Sequence, residues 1–257
     1  MNRLTGLDLK NFLDEKAALY NQPAFIKDDP VSIPHAFSKP QDIEIAGFFA
    51  AVLGWGRRSN IIRSCGRLME FMDQAPHDFI SNHQPEDLKG ILGFAHRTFN
   101  DTDLLYFLSV LQKHYQHSPS LETAFTGEED YTEPTVEAAL LRFHNYFFSG
   151  EYPERTRKHI STPARGSACK RLCMYLRWMV RKDDAGVDFG IWNRISPSQL
   201  ICPVDVHVAR VAHRLSMLEN EKSNWHNAAA LTGILRQWRP EDPVYYDYAL
   251  FGLGVNA

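Results

Sequence analysis

The amino-acid sequence predicts an all-α protein, and three observations support this. Apolar residues recur at helical spacing along most of the 257-residue chain, and no run alternates as a strand would. Capping residues, prolines and glycines bound most of these segments. No repeat, low-complexity tract or long linker divides the chain. We therefore expect a single helical unit over residues 1–257. Two lobes within it would interweave, one of residues 43–150 and one of residues 1–42 plus 151–257.

The first helices are expected on either side of a proline-rich connection. Apolar residues at helical spacing over 7–20 predict an amphipathic helix. Four prolines between residues 22 and 40 predict an irregular stretch. Asp42 is then expected to cap a strongly apolar helix that ends at the glycines on either side of Trp55.

The middle of the chain predicts three further helices. One is expected to begin at Asn60 and to end before the proline at position 76, and only short helical pieces are expected over 77–99. Asn100 and Asp101 are expected to start the next helix. The proline at position 134 suits the first turn of a helix that runs to residue 148.

The C-terminal third predicts four helices. The first is a basic and apolar helix over 168–180, which follows a turn of small residues. Asp205 is expected to cap the second, whose apolar residues lie at positions 208, 211, 212 and 215. The remaining two are expected over 225–238 and 244–251.

Composition limits the class of protein. Hydrophobic residues make up 44% of the chain, as in an ordinary globular protein. No stretch approaches the roughly 18 uninterrupted apolar residues of a membrane helix, so no membrane partner is expected. The N-terminus lacks the pattern of a signal peptide. The four cysteines show no paired spacing, so we expect reduced thiols, a cytoplasmic protein and no metal site.

The distribution of charge is more informative than its sum. The net charge is −3, which argues mildly against a nucleic-acid partner. Residues 153–182 nevertheless hold nine basic residues and a single acidic one, Glu154. Such a segment is either a phosphate-binding patch or a solvated helix face. Within it, Arg171 and Arg177 are the expected solvent or phosphate contacts.

Lys170 and Asp205 are the candidate catalytic residues. Lys170 is expected just inside the start of a helix, where the helix dipole favours a neutral amine that can act as a nucleophile. Asp205 is expected at another helix start, held by backbone amides, where its carboxylate can stabilise developing positive charge. The alternative is that both residues have purely structural roles. Most lysines in helices are surface charges, and capping alone fully explains Asp205.

The residues beside this pair are candidate DNA contacts. The turn formed by Arg165, Gly166 and Ser167 leads into a helix, so its amides can point at a phosphate. Arg171 follows Lys170. His207 and Arg210 are expected on the exposed side of the helix that Asp205 caps, where they can contact DNA or simply form a polar face.

Segment 203–215, PVDVHVARVAHRL, resembles the VDxHVxRVxxRL segment of the helix-hairpin-helix DNA glycosylase superfamily. Residues 40–75 and 155–252 are similar to that superfamily less specifically. The resemblance implies an all-α, helix-hairpin-helix glycosylase-like fold with a cleft between two helical lobes. It also implies that Asp205 is catalytic and that Lys170 is the nucleophile of the members with lyase activity.

The chain departs from the superfamily pattern at three places. Residues 162–170 read TPARGSACK where the usual hairpin reads LPGVGxKTA, so the Gly-x-Gly turn is not present. Lys170 and Asp205 are 35 residues apart, which is similar to the archaeal 8-oxoguanine glycosylase group. No four-cysteine cluster follows the aspartate segment, so no iron-sulfur cluster or other cofactor is expected. The whole chain also resembles a bacterial family, of the kind seen in Bacteroides-type organisms, within or beside this superfamily.

The function that the resemblance implies is base-excision DNA repair. The expected partner is double-stranded DNA with a damaged base, such as an oxidised purine, or an abasic site. The expected activities are those of a glycosylase and abasic-site lyase, through a lysine Schiff base. One alternative is a non-catalytic DNA-binding relative on the same scaffold, which the altered hairpin favours. The other is a helical scaffold for a protein or a small molecule, which the negative net charge favours.

Overall fold

The structure is a computed structural model, which describes residues 6–255. The described chain is mainly helical, so the all-α prediction is confirmed. It divides into two compact units, each assembled from separate stretches of chain. Unit 1 comprises residues 1–25, 132–140 and 162–257, and unit 2 comprises residues 26–131 and 141–161. Within residues 6–255, no helix is both long enough and apolar enough to cross a membrane.

Eleven α-helices and one short hairpin lie in the described residues. The helices are α1 (Gly6–Tyr20), α2 (Pro40–Val52), α3 (Arg58–Phe71), α4 (Pro76–Asn82), α5 (Asp101–Tyr115), α6 (Glu122–Thr126), α7 (Glu137–Phe147), α8 (Lys170–Val180), α9 (Val206–Arg214), α10 (Trp225–Trp238) and α11 (Asp247–Val255). The hairpin strands are β1 (Ala95–His96) and β2 (Phe99–Asn100), which pair antiparallel.

Short 3₁₀ helices connect these elements, and most of them begin at a proline. They are Pro23–Asp28, Pro30–Ser32, Pro34–Ala36, Asp87–Ile91, Glu154–His159, Pro163–Arg165, Pro197–Gln199 and Pro243–Tyr246. Proline suits the first position of a helix because its missing N–H would have no intrahelical partner there. The proline-rich stretch that the sequence predicted to be irregular therefore consists largely of 3₁₀ turns.

An aromatic core fills unit 2. Helix α2 is buried on almost every side, as expected of a helix that is apolar all round. Its Phe48 stacks on Phe107 of α5 with ring centroids 5.7 Å apart, and Phe107 contacts Phe147 edge-on at 4.7 Å. These rings are at most 1% exposed, so they hold α2, α5 and α7 together.

A fully buried carboxylate, Asp103, organises the polar part of unit 2. Its side chain completes a capping box with Asn100, which confirms the predicted start of α5. Thr156 Oγ1 donates to one carboxylate oxygen at 2.7 Å, and Arg155 Nη1 donates to the other at 2.8 Å. His159 Nε2 lies 3.3 Å from that second oxygen. The negative charge is therefore paired and hydrogen-bonded, as a buried charge must be.

In unit 1, helix α11 lies between α1 and α9. Glycines permit the close approach on both sides. A Cβ atom at Gly252 would lie 2.3 Å from the ring of Tyr20 in α1, and a Cβ atom at Gly254 would lie 3.0 Å from Cβ of His207 in α9. Helix α9 is thereby held against α11, close to the residue that caps it.

Replacing Gly252 with alanine is expected to destabilise unit 1 by about 1–3 kcal/mol, because the new methyl group would overlap the Tyr20 ring. Gly233 in α10 is the matched control, since a Cβ atom there meets nothing within 4 Å. Gly233→Ala is expected to stabilise the protein by up to about 1 kcal/mol through helix propensity. Urea unfolding of the two variants measures both effects. Equal free energies of unfolding for both would contradict this packing.

Several predicted helix starts need correction. Helix α2 begins at Pro40, so Asp42 lies inside the first turn and accepts instead from the backbone N–H of His77 at 2.8 Å. Helix α3 begins at Arg58, two residues before the predicted start. Helix α7 begins at Glu137 and not at the proline. In each case the helix lies in the expected segment. Its first residue differs because the start of a helix depends on contacts that the local sequence does not specify.

Candidate active site

The turn before α8 is fixed against the start of α10. The 3₁₀ helix Pro163–Arg165 ends at Gly166, which adopts the left-handed conformation with φ of 71°. Ser167 forms an isolated antiparallel bridge with Asn224, and the carbonyl of Gly166 accepts from the N–H of Trp225 at 3.0 Å. A glycine is suited to this turn because it has no Cβ atom to oppose a positive φ.

Cys169 determines where α8 begins. It is buried, and it is held at φ of 48° and ψ of 29°, a left-handed conformation that is uncommon for a residue other than glycine. Its N–H donates to Ser167 Oγ at 3.2 Å. The expected helix over 168–180 therefore begins at Lys170, two residues later, and Lys170 is its first residue.

Asp205 is the N-cap of α9, as the sequence predicted. Its Oδ1 accepts from the backbone N–H groups of His207 and Val208, both at 2.9 Å. The other oxygen, Oδ2, lies 3.8 Å from Nζ of Lys170. One oxygen is thus used to hold the carboxylate in place, and the second is turned towards the amine.

The structure therefore brings together the two predicted catalytic side chains. Lys170 and Asp205 are 24% and 23% exposed, so both are reachable from solvent without being mobile surface groups. A separation of 3.8 Å is an ion-pair distance and is too long for a direct hydrogen bond. The carboxylate therefore attracts the amine electrostatically without forming a hydrogen bond to it.

The floor beneath the pair is formed by α11. Nζ of Lys170 lies 5.8 Å from the ring centroid of Phe251, within the range of a cation–π contact. Asp247, at the start of α11, is 4% exposed. It forms an ion pair with Arg177 of α8, and Cys202 Sγ lies 3.9 Å from its Oδ1. Asp247 was not among the predicted site residues, because an acidic residue at the start of a helix is ordinarily explained by the helix dipole.

Burial raises the pKa of Asp247 to about 6 from its ordinary value of 3.8, and the positive charges of Arg177 and Lys170 oppose this shift. The folded state thus holds this proton more tightly than the unfolded state does. The stability that protonation contributes is fully present below about pH 4 and is lost as the pH rises through about 6.

Wild-type protein is therefore expected to lose about 2–3 kcal/mol of unfolding free energy relative to Asp247→Asn as the pH rises from 4 to 7. Chemical denaturation of both proteins at several pH values measures this difference. The asparagine keeps the shape of the side chain and removes its titration, so shared titrations elsewhere cancel. Parallel stability curves would contradict the assignment.

A buried network of charges ties the far end of α8 to other parts of unit 1. Arg177 Nε and Arg181 Nη1 lie 3.3 and 3.0 Å from Asp188, which also accepts from the hydroxyl of Tyr248 at 2.8 Å. Arg181 Nε donates to Asp242 at 2.8 Å. The prediction that Arg177 contacts solvent or phosphate is therefore wrong, since its side chain is 5% exposed and neutralised by aspartates.

The basic segment 153–182 does not form a run of exposed cations. Arg177 and Arg181 are buried. Arg155 belongs to unit 2, where it pairs with Asp103. The local surplus of charge in the sequence is thus partly cancelled by aspartates that are distant in sequence. A phosphate-binding surface in this segment can involve only its remaining basic residues.

The six predicted DNA contacts all lie in unit 1. The exposed ones are Arg165, Gly166, His207 and Arg210, and the half-buried ones are Ser167 and Arg171. The hydroxyl of Ser167 accepts from Cys169 as described above. Burial lowers the pKa of Arg171. Arg210 Nε lies 3.8 Å from Glu221, but both side chains are about half exposed, so this pair leaves the guanidinium accessible.

Residues 6–255 contain no group of three or more histidine, cysteine, aspartate or glutamate side chains that could hold a metal ion. The four cysteines are buried, and none of them is in a disulfide. Burial raises the pKa of Cys173 and of Cys202 well above the ordinary value. These thiols are therefore protonated, which disfavours them as ligands.

Comparison with known proteins identifies a family. Residues 29–256 match a family described as "Protein of unknown function (DUF2400)". No curated protein and no solved structure matches the chain. Because the match extends over most of the 257 residues, the protein belongs to the DUF2400 family.

Proposed function

We propose that this protein is a DNA base-excision repair enzyme, a glycosylase with abasic-site lyase activity and a helix-hairpin-helix glycosylase-like fold. The observation that carries the proposal is the 3.8 Å approach of Lys170 Nζ to Asp205 Oδ2 at the starts of two helices. The resemblance of segment 203–215 to the glycosylase superfamily gives this amine and this carboxylate their roles. An oxidised purine is the first damaged base to test.

Lys170 acts as the nucleophile in this proposal. Its neutral amine attacks C1′ of the damaged nucleoside, and the bond between C1′ and the base breaks, so the base leaves with the bonding electrons and takes up a proton. The nitrogen loses a proton, and its lone pair then breaks the C1′–O4′ bond while O4′ takes up a proton, which leaves a Schiff base. Loss of a proton from C2′ then breaks the C3′–O bond, and the 3′ phosphate leaves with that electron pair.

Asp205 has two roles in this proposal: it activates the amine of Lys170, and it stabilises the positive charge on the sugar. Its Oδ2 faces the amine and can accept a proton from the ammonium form, which generates the nucleophile. The carboxylate also stabilises positive charge that develops on the sugar as the base departs. Since the amides of His207 and Val208 hold Oδ1, the carboxylate needs little reorganisation during the reaction.

Double-stranded DNA is the proposed partner, with its phosphates near the turn before α8. Arg165 and Gly166 are exposed there, and Arg171 follows the nucleophile. His207 and Arg210 extend the polar surface along α9. The target nucleotide is flipped out of the duplex to reach Lys170, as enzymes acting on bases require. We place the enzyme in the cytoplasm, in keeping with its four free thiols.

A non-catalytic DNA-binding relative is the second candidate, and the turn before α8 favours it. The superfamily hairpin has two glycines, whereas here the turn has one, Gly166, and the left-handed Cys169 lies three residues after it. In that case DNA affinity would fall steeply with salt through counterion release, without any cleavage. A helical scaffold for a protein or small molecule would show neither property, and Asp205 would serve only as a cap.

Borohydride trapping tests the proposal. Protein is incubated with a duplex carrying an abasic site or 8-oxoguanine, and borohydride reduces any Schiff base to a stable covalent adduct. The proposal predicts an adduct on the abasic duplex and cleavage on its 3′ side. Salt-sensitive binding to the duplex without an adduct would favour the non-catalytic relative. The absence of both would favour the scaffold.

A further inference from the structure

Three helices of unit 1 line an open cavity, away from the start of α9. Its walls come from Phe12 and Tyr20 of α1, from Val211 of α9 and Leu215 just after that helix, and from Leu253 of α11. Its volume is about 370 Å³, within the range of sites that bind ligands, and it opens to solvent. We call it the α1/α9 groove.

Two basic side chains also line the α1/α9 groove, Lys16 from α1 and Arg214 from α9. Arg214 is exposed and has no hydrogen bond or ion pair within the described residues. Lys16 lies 3.6 Å from Glu15, which is 75% exposed, so this pair is weak and easily exchanged. An apolar groove with an unpaired guanidinium suits a ligand that carries both apolar groups and carboxylates.

The apolar surface continues beyond the cavity. Leu19 is 53% exposed and lies three residues after Lys16, on the same face of α1 as Lys16 and Phe12. A small molecule held in the cavity would leave Leu19 in water. A peptide lying along the groove would cover Leu19 and would also reach Arg214.

We propose that the α1/α9 groove binds an acidic and apolar peptide segment of a partner protein. Its large apolar side chain inserts between Phe12 and Leu253, and its carboxylates pair with Arg214 and Lys16. This is the groove mode of peptide recognition, in which apolar anchors supply affinity and charges supply specificity. Negative charge alone would also suit a DNA backbone. The apolar walls of the groove favour the peptide, because phosphates would leave those walls unfilled.

Fluorescence anisotropy tests this inference. The probe is a short fluorescein-labelled peptide of aspartates that ends in leucine and phenylalanine. We expect saturable binding to the whole protein that weakens with salt. Arg214→Glu is expected to reduce the affinity about tenfold or more, because the reversed charge repels the peptide. Leu19→Asp is expected to reduce it as well.

Controls separate the groove from general charge effects. Lys222 is exposed in unit 1 and does not line the groove, so Lys222→Glu is expected to bind the probe as the wild type does. A peptide with lysines in place of the aspartates is expected not to bind. Thermal unfolding verifies that Arg214→Glu and Leu19→Asp are folded, since both side chains are exposed.

Three results would overturn the inference. The first is no binding of the acidic peptide. The second is equal binding by wild type, Arg214→Glu and Leu19→Asp, which would place the peptide elsewhere. The third is displacement of the peptide by oleate or anionic vesicles together with tighter binding of those lipids, which would assign the groove to a lipid.

Discussion

Lys170→Gln is expected to abolish covalent trapping on abasic-site DNA, with a loss of at least about 10³-fold. Glutamine keeps most of the length and polarity of the side chain but has no nucleophilic amine, so no Schiff base can form. DNA affinity is expected to change little, because the substitution removes only one of the positive charges of the proposed DNA-binding surface. The measurement is single-turnover trapping with borohydride, with binding followed by anisotropy.

Lys222→Gln is the matched control for this experiment. Lys222 is an exposed lysine of unit 1 that we do not place in the site, and its replacement removes the same charge. Equal trapping by wild type and Lys222→Gln is expected. If Lys170→Gln still traps within about tenfold of wild type, another amine performs the reaction and the role of Lys170 is wrong.

Asp205→Asn is expected to slow the reaction by about 10²–10³-fold without unfolding the protein. Asparagine caps a helix about as well as aspartate, so the bonds from His207 and Val208 are kept and the free energy of unfolding changes little. The negative charge facing Lys170 is lost, and with it the stabilisation of positive charge on the sugar. Base release and trapping rates measure this loss, and DNA affinity is expected to remain.

Asp205→Ala separates the two roles of this residue. It removes both charge and cap, so it is expected to lower the free energy of unfolding by about 1–2 kcal/mol in addition to slowing the reaction. If Asp205→Asn reacts within about threefold of wild type, the side chain serves only as a cap. That result would favour the scaffold interpretation over catalysis.

The helix starts at Asn100 and Asp205 could be predicted from the sequence, because they depend only on neighbouring residues. Asn100 and Asp205 cap their helices because a short polar side chain can reach the free amides of the next turn, and that geometry is contained in a few residues. The proximity of Lys170 and Asp205 could not be predicted in this way. It was expected from the roles that the resemblance implies for the two residues, and the structure places Lys170 Nζ 3.8 Å from Asp205 Oδ2.

Other features depend on residues that are distant in sequence. Lys170 begins α8 because Cys169 is held in a left-handed conformation, which no local pattern indicates. Arg177 looks like a surface cation in the sequence, yet Asp188 and Asp247 reach it from 11 and 70 residues away. Asp247 was missed for the same reason, since only the packing of α11 brings its carboxylate to Arg177.

The most direct test of the central claim is to identify the residue that becomes attached to DNA. Wild-type protein is trapped on abasic-site DNA with borohydride and digested with protease and nuclease, and the modified peptide is sequenced by mass spectrometry. The account predicts a single modified residue, Lys170. Modification of another lysine or of the N-terminal amine, with Lys170 unmodified, would contradict it.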